Sequence, residues 1–347
     1  MIRVATRPQP FVIVVLVVVV GGVADVTGAD PKPRVIPADT LPADLARRKP
    51  PAGLKLGAAS DPVDQRTIDR VALGRRLFFD RILSKDRSLA CASCHDPAHG
   101  FADPRPLSIG IGKALGQRNA PSLFNVALGQ LFFWDGRASS LEAQVRFPIE
   151  NPRELGSNLT EVVSRLKADL EYVSAFGRTF PDGVTAANVA RSIADFERTL
   201  LLGNSRVDQF RSGKADALTD AQRQGLWLYE SRGRCWRCHS GANFTDERFH
   251  NTGVGSRRAN PDVGRMSVSR HTSDRGRFKT PTLRGVGRTA PYMHDGSVKT
   301  LKEVVEFYNR GGVKNPQLDP LMRPLELDKE EVGFLVEFLK ALDGEWP

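Results

Sequence analysis

Cysteine is scarce in this chain and none of it is spare. The 347 residues contain four cysteines, all used by two pentapeptides, Cys91-Ala92-Ser93-Cys94-His95 and Cys235-Trp236-Arg237-Cys238-His239. A zinc site needs its ligands to converge in one place, and a disulfide or a thioredoxin-like redox pair needs no histidine after the second cysteine. A Cys-x-x-Cys-His motif that occurs twice, with no cysteine left over, fits c-type haem attachment instead. Two thiols three positions apart add to the two vinyl groups of one porphyrin, and the adjacent imidazole reaches the iron. Cys91, Cys94 and His95 are therefore expected to hold one haem c, and Cys235, Cys238 and His239 a second. Two haems imply electron transfer, redox catalysis or both.

Strand-like alternation is also scarce, so the expected fold is mainly α with long loops. Long apolar runs are nearly absent: Phe11 to Ala24 is shorter than the roughly 20 residues that a bilayer core requires. With Arg3 and Arg7 before it and the small residues Thr27-Gly28-Ala29 after it, residues 1–29 read as a secretory signal, with an uncleaved anchor as the alternative. Export agrees with haem attachment outside the inner membrane and points to the periplasm. The net charge of +10 falls only to +9 if that segment leaves, because Arg3, Arg7 and Asp25 go with it. No aromatic-basic motif accompanies the scattered basic residues, so nucleic acid is not an expected partner. A basic surface instead suits an acidic redox partner or an acidic protein substrate.

The length allows about two domains, one per haem. Residues 30–63 form a Pro-rich lead-in, with ordered structure expected from near Asp64. The expected domains are 64–205, carrying the first haem, and 206–347, carrying the second. Ile68, Val71, Leu77 and Phe78 mark a helix before the first motif. Thr160 to Phe180 reads as one helix capped by Ser157 or Asn158, and Val189 to Leu202 as another. Thr219 caps a helix leading to the second motif, and Val332 to Leu342 form the last.

An internal repeat organises the whole chain. Gly74-x-x-Leu77-Phe78 before the first motif matches Gly225-x-x-Leu228-Tyr229 before the second. Ala120-Pro121-Ser122-Leu123, Asp135-Gly136 and Leu141 match Thr280-Pro281-Thr282-Leu283, Asp295-Gly296 and Leu301 at a constant offset of 160. Two cytochrome-c-like halves related by duplication are therefore expected. The same offset places Trp134 on His294, Gln144 on Val304, Pro148 on Tyr308 and Glu154 on Lys314, so the two haem environments must differ. Pro148 offers iron no donor, whereas Tyr308 offers a phenol oxygen.

At these residues the chain resembles the bacterial dihaem cytochrome c peroxidase family, and within it the MauG-like members. The resemblance runs from about Leu73 to Leu342 and includes Arg118-Asn119-Ala120-Pro121, Phe133-Trp134-Asp135-Gly136-Arg137 and Ala290-Pro291-Tyr292-Met293-His294-Asp295-Gly296. It implies hydrogen peroxide as substrate at the first haem and electron storage at the second. Electrons would come from a small cytochrome c or cupredoxin, or from a protein substrate. It implies Trp134 as relay, Gln144, Pro148 and Glu154 in the distal pocket of the first haem, and a calcium site from Asn119, Thr289 and the Pro291 carbonyl. A homodimer is the assembly it suggests.

Two departures from the usual family pattern carry most of the functional reading. Ordinary members place a blocking histidine sixteen residues after the proximal one, where this chain has Ile111, so the first iron should be open when oxidised. Tyr308 stands where they place the methionine ligand of the second haem, and phenolate lowers the potential relative to a thioether. Both features are those of the MauG-like members, which oxidise a partner protein. A non-catalytic dihaem electron-transfer cytochrome is the reading from another class. With six histidines and four methionines in the chain, the rival iron ligands are few: His99, His250, His271, His294, Met266, Met293 and Met322.

Overall fold

Glycine decides how closely the main helices of each half cross. The computed structural model describes residues 49–54 and 64–346. Helix α1 (Gln65–Phe79) starts at Asp64, whose carboxylate accepts from Thr67 N at 2.7 Å. It buries Val71, Leu73, Gly74, Leu77, Phe78 and Phe79. A Cβ on Gly74 would collide with the Ser192 carbonyl of α5 (Ala186–Glu197), so only glycine permits this approach. The second half repeats the device. Gly225 of α7 (Asp220–Glu230) lies against the Phe334 carbonyl of α10 (Lys329–Lys340). The repeated glycine seen in sequence is thus a helix-crossing contact in both halves.

The remaining helices are α2 (Leu141–Glu150), α3 (Leu159–Lys167), α4 (Leu170–Thr179), α6 (Arg206–Arg211), α8 (Met266–Ser269) and α9 (Leu301–Asn309). The described residues contain one two-stranded antiparallel sheet, β1 (Phe249–His250) on β2 (Phe278–Lys279). Buried apolar residues form one cluster from Val71 to Leu202 and another from Val207 to Leu342. Trp346, near the chain end, returns to the first cluster and packs edge-on against Phe101 and Phe124 at 5.4 Å from each. The architecture is mainly α, with two cytochrome-c-like halves.

Three expectations are corrected. Residues 160–180 form two helices, because Asp169 accepts from Glu171 N and Tyr172 N and starts a new helix there. Amphipathic periodicity continues through the break, which is why it was invisible. The lead-in is not wholly apart from the fold: Ala52 O accepts from Asn204 N at 2.8 Å, and Gly53 O accepts from Arg284 Nη2 at 3.0 Å. The expected helix from Val189 also ends early, at Glu197. Beyond it Leu202 N turns to the side chain of Asn125. The apolar run at residues 11–24 lies outside the described residues, among which no helix is long and apolar enough to cross a membrane.

The duplication appears as paired hydrogen bonds between the halves. Asn119 N donates to His294 O at 2.8 Å, and Lys279 N, 160 residues on, donates to Trp134 O at 2.8 Å. The bridges Phe132 to Ala138 and Tyr292 to Val298 are likewise related by 160. The two Asp-Gly turns therefore face each other, placing Trp134 edge-on to His294 with ring centroids 6.5 Å apart.

Candidate dihaem site

A cavity of about 1240 Å³ is lined from both halves, and the residues expected from sequence to attach haem, to form the distal pocket, to relay electrons and to hold calcium line it, as does Tyr308. At the first motif, a 3-10 turn Cys91–Ser93 brings Cys91, Cys94 and His95 to its wall. His95 Nδ1 lies 2.9 Å from Phe101 O, which fixes Nδ1 as the donor and leaves Nε2 with its lone pair. Burial lowers the His95 pKa, the bond to Phe101 opposing it, so the imidazole is neutral and able to ligate iron. The second motif repeats this with His239 Nδ1 3.1 Å from Phe244 O, and the Tyr229 hydroxyl donates to His239 O. Burial pushes the Cys94 thiol up to about 11 and Cys235 up to about 12. Such thiols are the opposite of the acidic thiolates that redox pairs require, and they stand in for the uncharged thioethers of attached haem.

Helix α2 and the loop after it line the same cavity as His95. Gln144 and Pro148 lie one turn apart on the cavity side of α2, which Ser140 caps by accepting from Ala143 N at 3.1 Å. The chain leaves at Asn151, whose Nδ2 donates to Glu154 Oε1 at 2.7 Å. Burial raises the Glu154 pKa, with the Asn151 bond and Arg137 opposing it. Its neutral form is thereby favoured in a position suited to proton delivery.

Ile111 N donates to Glu154 O at 3.0 Å, while the Ile111 side chain lies over Gly156 and does not line the cavity.

On α9 Tyr308 lines the cavity, and its hydroxyl has no hydrogen-bond partner among the described residues. A packed tyrosine with its hydroxyl on backbone, the bland alternative, is therefore not what is seen. Burial pushes the phenol pKa up, with the nearby sulfurs of Cys238 and Cys235 adding to it. Once haem is attached those sulfurs are neutral thioethers, leaving desolvation as the cause.

Most rival ligands are accounted for. His250 is held at both ring nitrogens, by Asp319 at 2.6 Å and Asp246 at 2.9 Å. Cys238, Asp246 and His250 cluster closely enough for a metal ion, but attachment of haem consumes the Cys238 sulfur. His99 bonds Asp96 at 2.9 Å, and His271 is exposed away from the cavity. His294 is stacked on Phe278 at 3.6 Å, and burial lowers its pKa to about 4. Met266 does not line the cavity, whereas Met293 and Met322 do.

Between the halves, Trp134 Nε1 donates to Asn119 O at 2.9 Å. Asn119, 5 % exposed, donates through Nδ2 to the carbonyls of Arg105 and Pro106, which leaves its Oδ1 as an uncommitted acceptor. Arg118 ties the halves by binding Asp135 at 2.6 Å and Asp262 at 2.7 Å. One residue was missed: Glu197, a buried carboxyl on the cavity wall. It lies four residues after Ile193 on the apolar face of α5, and a charge on that stripe was the available signal.

Comparison with known proteins bears on the family and the fold. A family model described as di-haem cytochrome c peroxidase matches residues 68–216, and one described as RoxA-like, cytochrome c-like, matches residues 277–313. The chain is 36% identical over 345 residues to methylamine utilization protein MauG of Methylorubrum extorquens, covering 98% of this chain and 97% of that one. It is 35% identical to cytochrome c551 peroxidase of Nitrosomonas europaea, covering 84% and 86% respectively. Among solved structures, a MauG-like protein associated with microbial copper homeostasis superposes with a TM-score of 0.76 at 32% identity, covering 86% of this chain and 94% of that chain.

Proposed function

The chain belongs to the di-haem cytochrome c peroxidase family, and from that premise we propose that it reduces hydrogen peroxide at an open first haem with electrons relayed through the second. The observation that carries the reading is the asymmetry of the cavity: Ile111 is turned away from the first site, while Tyr308 faces the second with a free hydroxyl. When bound, the two covalently attached haems supply the iron at which O–O cleavage occurs and the store for the second oxidising equivalent.

The reaction consumes two protons and two electrons per peroxide and yields two waters. Glu154 delivers a proton to the departing oxygen, and the Gln144 amide donates a hydrogen bond to peroxide. Pro148 and Phe147 present apolar surface on the cavity side of α2 and limit competing water. Phe101 O orients the His95 ring from behind. Trp134, bonded to Asn119 and edge-on to His294, touches both halves and serves as the relay. Asn119 Oδ1 with Thr289 and the Pro291 carbonyl would hold a calcium ion, an all-oxygen set suited to that cation. The working domains are 64–205 and 206–347, the compartment is the periplasm, and the donor is a small cytochrome c or cupredoxin.

The oxidised holoprotein is expected to show a high-spin ferric EPR signal from the first haem. A wholly low-spin spectrum rejects the open site and favours the electron-transfer cytochrome. Tyr308→Met should raise the potential of the second haem by a sizeable part of the about 0.8 V that axial ligands span. If its potential and oxidised spectrum are unchanged, Met322 becomes the ligand. Tyr308 and Ile111 together favour a second reading, a MauG-like oxidase that matures a partner protein. Slow donor turnover with a covalent change in a co-expressed partner selects it, and rapid donor turnover selects the peroxidase.

A further inference from the structure

Glu197 is a buried acid with no counter-ion of its own. It is 5 % exposed, its Oε2 has no hydrogen-bond partner, and it lines the cavity close enough to Cys91 to act on its charge. Three circumstances oppose its ionisation. Burial strips its hydration, the largest effect. It ends α5, where the helix macrodipole is negative. Its neighbouring cation Arg198 is already shared with Glu142 at 2.8 Å and Asp195 at 3.0 Å, and Glu142 adds negative charge nearby. The carboxyl is pushed up to about 8 as a result.

Charged groups on the elements packed around it pair elsewhere, Arg146 of α2 with Glu150 at 3.4 Å among them. Arg70 of α1 binds Asp195 at 2.8 Å, with Arg191 of α5 4.0 Å from the same carboxylate. Arg165 of α3 is turned to Ser84 O and Ser157. Cys91 becomes an uncharged thioether once haem is attached. The charge that changes beside Glu197 during turnover is that of the haem.

We propose that Glu197 is the redox-linked proton site of the first haem, taking up a proton from the cavity when an electron enters and releasing it when the electron leaves. Ferric haem carries one more positive charge than ferrous, and at low dielectric that charge favours carboxylate over acid. The oxidised state therefore holds Glu197 ionised near neutral pH, and reduction returns the proton. Charge beside the cavity is conserved through each one-electron step, and a proton is stored within reach of a reaction that consumes two. Glu154 acts on peroxide from the loop after α2, whereas Glu197 acts through the haem from α5. The inference rests on haem bound at Cys91, Cys94 and His95, and not on which face of its iron is open.

The test is the midpoint potential of the first haem followed from pH 5 to pH 9 in the holoprotein. In the natural chain it should fall with a slope approaching one proton per electron around neutral pH. In Glu197→Gln it should stay at the natural chain's acid limit with that slope lost, and Glu197→Asp should restore part of it. A slope unchanged in Glu197→Gln and lost instead in Glu154→Gln overturns the proposal. Should Glu197→Gln fail to accumulate with haem, redox-difference infrared spectra of the natural protein decide. A carboxylic acid band that gains intensity on reduction and shifts in heavy water is expected, and its absence overturns the assignment. A closed first iron by EPR would reject the proposed peroxidase and leave this slope measurable.

Discussion

Glu154→Gln is expected to lower peroxide turnover by about 10²- to 10⁴-fold, the range that a positioned acid or base supplies. The amide keeps the size of the carboxyl and a partner for Asn151 Nδ2, which donates to Glu154 Oε1 at 2.7 Å. It removes the dissociable proton. Binding of haem should be unaffected, because the hydrogen bond of the Glu154 side chain is to Asn151 and not to either attachment motif. Since burial raises the Glu154 pKa, the acid form persists to higher pH than for an exposed glutamate, and activity should decline as pH rises through that raised value. Stopped-flow mixing with peroxide across pH gives both readouts. Full activity with an unaltered pH profile in the variant would move the proton-delivery role elsewhere, with Glu197 as the next candidate.

Arg284→Met is expected to cost about 3–5 kcal/mol of stability, a large part of the roughly 5–15 kcal/mol that folded proteins possess. Arg284 is 1 % exposed and binds both oxygens of Asp208, at 2.7 and 2.9 Å. It also donates to Ala242 O at 2.7 Å and Gly53 O. Ala242 lies two residues before Phe244, whose carbonyl holds His239, so the loss should also loosen the second haem's proximal side. The variant strands Asp208, 6 % exposed, in the interior. Replacing both partners by apolar residues should recover most of the loss, because no lone charge then remains buried.

The acid side of the stability curve checks the same pair. Burial alone would raise the Asp208 pKa, but Arg284 and Ser205 outweigh it and hold the carboxyl below its usual value. A depressed folded pKa contributes stability that is complete above the unfolded value of about 3.9 and is lost as pH falls through the folded one. Denaturant titrations of the holoprotein from pH 7 downward should show this contribution fading at acid pH in the natural chain and missing in the doubly apolar variant.

The sequence determined the cofactor chemistry and the plan of the molecule. Haem attachment is written in contiguous residues, Cys91 to His95 and Cys235 to His239. The duplication survives as a fixed offset because each half must rebuild the same helix crossing and the same Asp-Gly turn. Tertiary structure decided what depends on residues far apart in the chain. Ile111 is not a ligand on its type alone, but only the packing on Gly156 shows which way it faces. Asp169 interrupts a helix without interrupting its periodicity, since a cap acts through one side-chain bond that hydropathy does not register. Arg284 is drawn to Asp208 across 76 positions, and Glu197 is left without a partner because Arg198 is claimed by Glu142 and Asp195. Pairing of charges, and the lack of it, is settled by which chains of atoms meet in three dimensions, so it appears only once the fold has closed.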